Sequence, residues 1–324
     1  MEIGALGARG AVPLRTRAAS RYRFDTRRRR RRASGAVTDT FSTVTSVIPA
    51  GPGRYEATIH ESWNLRPLPQ GGIVSAIGLR AMAAELADPA QPLRALHTAF
   101  VAQVADGPVS VQVELLRRGR SMSHLRSEVT NIDTARGHLT TGIFGSTRPG
   151  YNFTDLRPPA RILPPAACPS FRDPPPPGVD GYEPTPFWTR HVEGRAVLGH
   201  PFWEEYVPDR AETATWYRFD HPPFLDDGSL DPLALVVLAD TMPGAVAEKV
   251  GRQDRAWFAP SVDLTVHLLD RCRSPWVLAH NRSRFAGDGY ASADMALWDC
   301  GQDGAGAPRL VAYATQMFLF SFAG

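Results

Sequence analysis

The sequence predicts an α+β protein built from one plan used twice: an antiparallel sheet wrapped around a central hydrophobic helix, in tandem. Three observations carry this. Two segments with helical composition, GIVSAIGLRAMAAEL near 71–86 and PLALVVLAD from Pro232, carry apolar residues on every face. A helix of that kind must be covered all round. Each is followed by four runs in which β-branched and aromatic residues dominate, as in strands. The order strand, helix, four strands occurs in both halves of a 324-residue chain, a length comfortable for two domains and long for one.

Residues 1–50 read as a disordered arginine-rich extension. Its first 36 residues hold eleven arginines against Glu2 and Asp25. They form either an arm for nucleic acid, a targeting segment, or an extension without function. The first module, residues 51–150, opens with the alternating strand YEATIHESW (Tyr55–Trp63). The turn PQGG leads into the first helix, and strands are expected near 94–104, 109–118, 121–131 and 137–146. Residues 151–210 read as a surface linker. Twelve of the 29 prolines fall between Pro149 and Pro186, and such a stretch supports neither a helix nor a central strand. The second module, residues 211–324, opens with ATWYRFD (Ala214–Asp220). Its helix has Asp231 as N-cap and Pro232 at the first position, and Pro243 is expected to stop it. Strands follow near 259–269, 275–284, 289–299 and 309–320. The insertion CGQDGAGAP (Cys300–Pro308) lengthens one of their turns.

Composition removes several classes of function. Apolar content of 43% and charge of 21% are those of a globular protein. No apolar run approaches the roughly 18–20 residues of a membrane span. Cys168, Cys272 and Cys300 share no close spacing, against a zinc knuckle or a disulfide framework and in favour of a reducing, cytoplasmic setting. The net charge of +3 comes from the arginine-rich start, so the rest is acidic and shows no general nucleic-acid surface. There is no GxSxG elbow, since GIVSAIG has the wrong spacing and lies within a helix. Phosphate-loop and dinucleotide motifs are absent. The nine histidines never fall at metal-binding spacing.

One carboxylate stands out. In DPLALVVLADTMPGAV the apolar run ends on Asp240. It is either a helix-end residue facing water or a buried acid. Burial and the negative end of its own helix would both raise its pKa, which suits a general base. Gly71 and Gly72 open the first helix. Their bare backbone either makes a plain turn or brings N–H groups to a ligand's carbonyl oxygen.

Two such modules make the double hotdog arrangement. With PQGGIVSAIG in the first half and ADTMP, SVDLTVHL and ATQMFLF in the second, the chain resembles the double-hotdog acyl-CoA thioesterases of the type II, TesB-like group. The resemblance covers about residues 50–150 and 210–324. It implies that Asp240 is the catalytic Asp, that Ser261 stands where the family has Thr and sometimes Ser, and that Gln316 matches the family's Gln. Thr265 is the alternative to Ser261 if the register differs by two pairs. The first half carries no such set: its last strand reads LTTGIFGS, without a Gln.

The activity implied is hydrolysis of an acyl-CoA thioester. Asp240 would activate a water oriented by Ser261 and Gln316, with Gly71 or Gly72 on the carbonyl oxygen. A thiolate leaves without a strong acid, so no metal, cofactor or covalent nucleophile is needed. Arg118, Arg120 and Arg282, on hairpin turns, are candidates for the phosphates of coenzyme A. Homo-oligomers are implied as well. Two other functions stay open: a hotdog that binds acyl-CoA or another ligand without hydrolysis, and an acyl-thioester hydratase or dehydratase. The last usually brings a His close behind the Asp, and none lies between His221 and His267.

Overall fold

A computed structural model describes residues 39–65, 67–179, 184–201, 203–253 and 255–322. The arginine-rich residues 1–38 lie outside this set, but the disordered extension expected through residue 50 is corrected for residues 39–50, which form a capped helical turn and the start of a strand. The elements in chain order are α1 (Phe41–Val44), β1 (Ile48–Gly51), β2 (Arg54–Ile59), α2 (Gly71–Leu86), β3 (Leu93–Phe100), β4 (Gly107–Arg117), β5 (Met122–Asn131) and β6 (His138–Gly145). The second half follows with α3 (Pro186–Arg190), β7 (Val192–Leu198), β8 (Glu212–Phe219), α4 (Pro232–Ala239), α5 (Pro243–Val250), β9 (Trp257–Phe258), β10 (Asp263–Leu268), β11 (Val277–Gly287), β12 (Tyr290–Asp299), β13 (Arg309–Leu319) and β14 (Ser321–Phe322).

Twelve strands form one antiparallel sheet in the order β1-β2-β4-β5-β6-β3-β10-β13-β12-β11-β8-β7. The first six belong to the first module and the last six to the second. The modules therefore join edge to edge at β3–β10, where Leu96 faces Val266 and His97 faces Thr265. Strands such as β2, β4 and β5 alternate, with Val109, Val111 and Val113 of β4 inward and polar residues outward, whereas β11 and β12 carry runs buried on both faces. The inward faces close on α2 and α4.

The two helices are the most deeply buried part of the protein. Ile73, Val74, Ala76, Ile77, Leu79, Ala81 and Met82 of α2, and Leu235 to Ala239 of α4, are almost wholly excluded from solvent. They lie antiparallel: Gly72 at the start of α2 meets Val237 near the end of α4. Eight residues further on, Arg80 donates to Asp231, the N-cap of α4, at 2.5 Å. Asp231 also accepts from Leu233 N–H at 3.0 Å, with Pro232 at the first helical position.

Three further expectations need correction. The strand at Tyr55 ends at Ile59, because His60 caps a 3₁₀ turn over Glu61–Trp63, and the Trp63 indole donates to Asp39 at 2.9 Å. Pro243 does more than end α4. It is the first residue of α5, and the chain breaks at Asp240, whose ψ of 47° leaves the helical region.

Residues 151–210 are not wholly irregular. Pro186 sits at the start of α3, and the proline-free stretch beyond it supplies β7, the edge strand paired with β8. Only the proline-rich part behaves as a surface strap. Leu156, Ile162 and Leu163 cover Trp216, Trp298 and Leu278 on the outer face of the second module, and the Trp216 indole donates to Leu163 O at 2.8 Å. Cys168, Cys272 and Cys300 are free and buried.

Candidate active site

The start of α2 and the end of α4 meet where the modules join, and the site is built on that meeting. Asp240 is the C-terminal cap of α4 and is buried, 7% exposed. Its Oδ2 accepts a hydrogen bond from Gly72 N–H at 2.9 Å. Its Oδ1 accepts from the Ser261 hydroxyl at 3.1 Å and from the Gln316 carboxamide. Gln316 Nε2 also donates to Ser261 Oγ at 3.0 Å, so the three side chains share one network.

Local sequence explains each position. On β13, Gln316 alternates inward between Ala314 and Phe318, while Thr315 and Met317 face out. Ser261 pairs with Phe318 in the bridge just before β10, two residues along β13 from Gln316. Glycine at 71 and 72 is required by space. A Cβ on Gly71 would lie 2.6 Å from the Phe100 ring and 2.8 Å from Asp240 Oδ2. One on Gly72 would lie 2.8 Å from the Val237 Cα.

Burial pushes the Asp240 carboxyl up to about 6, against the pull of its hydrogen bonds from Gln316, Gly72, Ser261 and Gly71. The first amides of α2 favour the anion, as a helix start does. They do not overcome the loss of water around the group.

The structure brings together Asp240, Ser261, Gln316, Gly71 and Gly72. Gly72 N–H points at the carboxylate rather than standing free for a ligand's oxygen. Thr265 is elsewhere: it faces outward and hydrogen-bonds His97 Nδ1 at 2.9 Å across the module joint. The arginines lie apart from the carboxylate. Arg118 donates to Leu86 O at 2.8 Å, at the far end of α2, about 20 Å along the axis from Gly71. Arg120 is on the same exposed turn. Arg282 is not on a turn as expected but inside β11, which runs on to Gly287; there it pairs with Asp294 at 3.4 Å, opposite it across β11–β12, and borders a surface cleft of about 740 Å³ with Arg210, Lys249 and Arg284.

Three contributors were not read from the sequence. Gln70 caps the start of α2 and reaches the end of α4. Phe100 presses on Gly71. Asn281 donates to Met242 O at 2.9 Å and so pins the break after Asp240. Gln70 had a signal, its place directly before a helix-opening Gly-Gly pair; Phe100 and Asn281 had none beyond their places in strands. Among the described residues no group of three His, Cys, Asp or Glu side chains is placed to hold a metal ion.

A sheet shared by two modules, with one buried helix in each and the Asp240 carboxylate set where the helices cross, defines a double hotdog protein. Comparison with known proteins agrees. Residues 59–144 match the model of the acyl-CoA thioesterase N-terminal domain, and residues 165–320 that of the acyl-CoA thioesterase C-terminal domain. The chain belongs to this double-hotdog acyl-CoA thioesterase family.

Among solved structures, a conserved hot dog fold protein of unknown function from Alicyclobacillus acidocaldarius is 24% identical, with a TM-score of 0.71 over 88% of this chain and 99% of its own. Acyl-CoA thioesterase II TesB2 of Mycobacterium marinum is 19% identical, with a TM-score of 0.66 over 88% and 99%. The tesB protein of Mycobacterium avium subs paratuberculosis is 18% identical, with a TM-score of 0.62 over 87% and 98%. At these identities the likeness is one of fold. No curated protein matches the chain.

Proposed function

We propose that the protein hydrolyses acyl-CoA thioesters, with Asp240 as general base. The observation that carries this is a buried carboxylate poised near pKa 6, held by a hydroxyl, a carboxamide and a helix-start amide at the joint of two modules. A base with that pKa is ionised at neutral pH and still accepts a proton readily.

Asp240 takes a proton from water while the water oxygen attacks the thioester carbonyl carbon. Ser261 and Gln316 aim the water. The tetrahedral intermediate collapses with cleavage of the C–S bond, giving the carboxylic acid and a thiolate. Asp240 then returns its proton to the thiolate, whose conjugate acid has a pKa near 8.5. As the carboxylate is neutralised, its hold on the amides of Gly71 and Gly72 weakens. They then face the developing oxyanion at the positive end of α2. Basic groups at the mouth of the Arg282 cleft serve the phosphates of coenzyme A better than Arg118, which is committed to a helix end.

Hydrolysis is tested by release of free thiol from a panel of acyl-CoAs, with Asp240→Asn beside wild type. The variant is expected to lose about 10²-fold or more in kcat. Equal rates would remove Asp240 from the chemistry. We place the protein in the reducing cytoplasm and expect copies to associate, which light scattering after gel filtration checks as a mass above the 35.4 kDa of one chain.

A further inference from the structure

Gln70 lies outside the set named in the mechanism, yet its carboxamide holds both helix ends that build the site. The residue is 1% exposed. Its Oε1 accepts from Ile73 N–H at 2.9 Å and so caps the first turn of α2. Its Nε2 donates to Val237 O at 2.8 Å and to Asp240 O at 3.1 Å. Val237 O also accepts from the Asp240 N–H at 3.2 Å, so Gln70 adds a second donor there, while Asp240 O, at the end of α4, lies beyond the reach of a partner in its own helix. One side chain therefore closes the start of one helix and the end of the other. The backbone oxygen of Asp240 is held by Gln70, and its carboxylate by the amide of Gly72, two residues along the same segment.

We propose that Gln70 is a positioning residue: it locks the α4 terminus onto the α2 start, and so sets both the aim of the Asp240 carboxylate and its proton affinity. This rests on Asp240 acting as the base. Gln70→Leu keeps a similar volume and removes both donations. The Asp240 carbonyl loses its donor and the Val237 carbonyl one of its two, the α4 end moves away from α2, and Gly72 N–H releases the carboxylate. Losing a donor to the charged form raises a carboxyl pKa. A displacement of an ångström at a reacting group costs up to about 10²-fold in rate.

The test has two readouts. In the first, the pH profile of kcat is compared for wild type, Gln70→Leu and Gln70→Glu, with Asp240→Asn as control. Gln70→Leu is expected to lose about tenfold or more in kcat with KM little changed, and its ascending limb should move to higher pH. Gln70→Glu keeps the acceptor toward Ile73 but turns a carboxylate on two carbonyl oxygens beside Asp240, and should move the limb further up. In the second, ¹³C NMR follows titration of the Asp240 carboxyl in the same proteins, which needs no turnover.

An Asp240 that titrates as in wild type in either folded Gln70 variant overturns the proposal. So does a loss of activity expressed only in KM. If Gln70→Leu does not fold, Gln70→Glu decides by the same two criteria. If wild type releases no thiol from any acyl-CoA, the hydrolytic function fails while the carboxyl titration still decides for or against Gln70.

Discussion

Asp240 gathers every force acting on the site. Burial opposes its charge, and hydrogen bonds from Gln316, Gly72, Ser261 and Gly71 favour it. In the proposed mechanism the base must be ionised, so kcat/KM is expected to fall as pH drops through about 6, with one proton controlling the acid limb. A limb absent between pH 5 and 7 would place the base elsewhere. The same group shapes stability, and the sign follows from linkage. A carboxyl raised from 3.8 to about 6 binds its proton more tightly in the folded protein. Its stabilising share is complete below about pH 4 and is lost as pH rises through about 6. The buried His138 and His191, lowered to about 4 by burial, act in the opposite direction. The informative quantity is therefore the difference between wild type and Asp240→Asn in urea unfolding. That difference should grow against wild type from pH 4 to pH 8, by up to about 3 kcal/mol.

At the scale of elements, the crossing of α2 and α4 matters most, and it depends on glycine for room. Neither Gly71 nor Gly72 has a positive φ, so alanine would favour the helix itself by about 1 kcal/mol. Gly72→Ala should nevertheless destabilise the protein by about 1–3 kcal/mol, since its methyl meets the Val237 backbone, which cannot swing aside. Gly71→Ala meets the Phe100 ring and the Asp240 carboxylate instead. It should cost activity out of proportion to stability, which thermal melts and thiol release measured together will show. The helices themselves were legible, because apolar residues on every face admit only a buried helix. The 3₁₀ turn after Ile59 was not. It depends on His60 capping Ser62 and on Trp63 bonding Asp39, contacts that no alternation in YEATIHESW announces.

For the whole molecule, the shared sheet makes the halves interdependent. Gly71, Gly72 and Gln70 come from the first module, and Asp240, Ser261 and Gln316 from the second. Strands β3 and β10 are interior strands only because each borders the other. Residues 39–322 are expected to unfold in one calorimetric transition, with the van't Hoff enthalpy equal to the calorimetric one. Two resolved transitions would show that the joint is weak. Among the described residues no helix is long and apolar enough to cross a membrane.

From the sequence alone came the repeated plan, both central helices, the succession of the main strands along the chain and the trio Asp240, Ser261 and Gln316. The first three are local properties: periodicity, composition and turn residues act within a few positions of the chain. The trio came from resemblance to a family. Only the tertiary structure decided that Ser261 rather than Thr265 meets the carboxylate, since a two-pair step in register separates them. It alone revealed that Gly72 points its N–H at Asp240 and that Gln70 ties the helix ends together across a gap of 170 residues. Contacts at that separation depend on how two helices cross, and side-chain space at the crossing, not local preference, sets the angle.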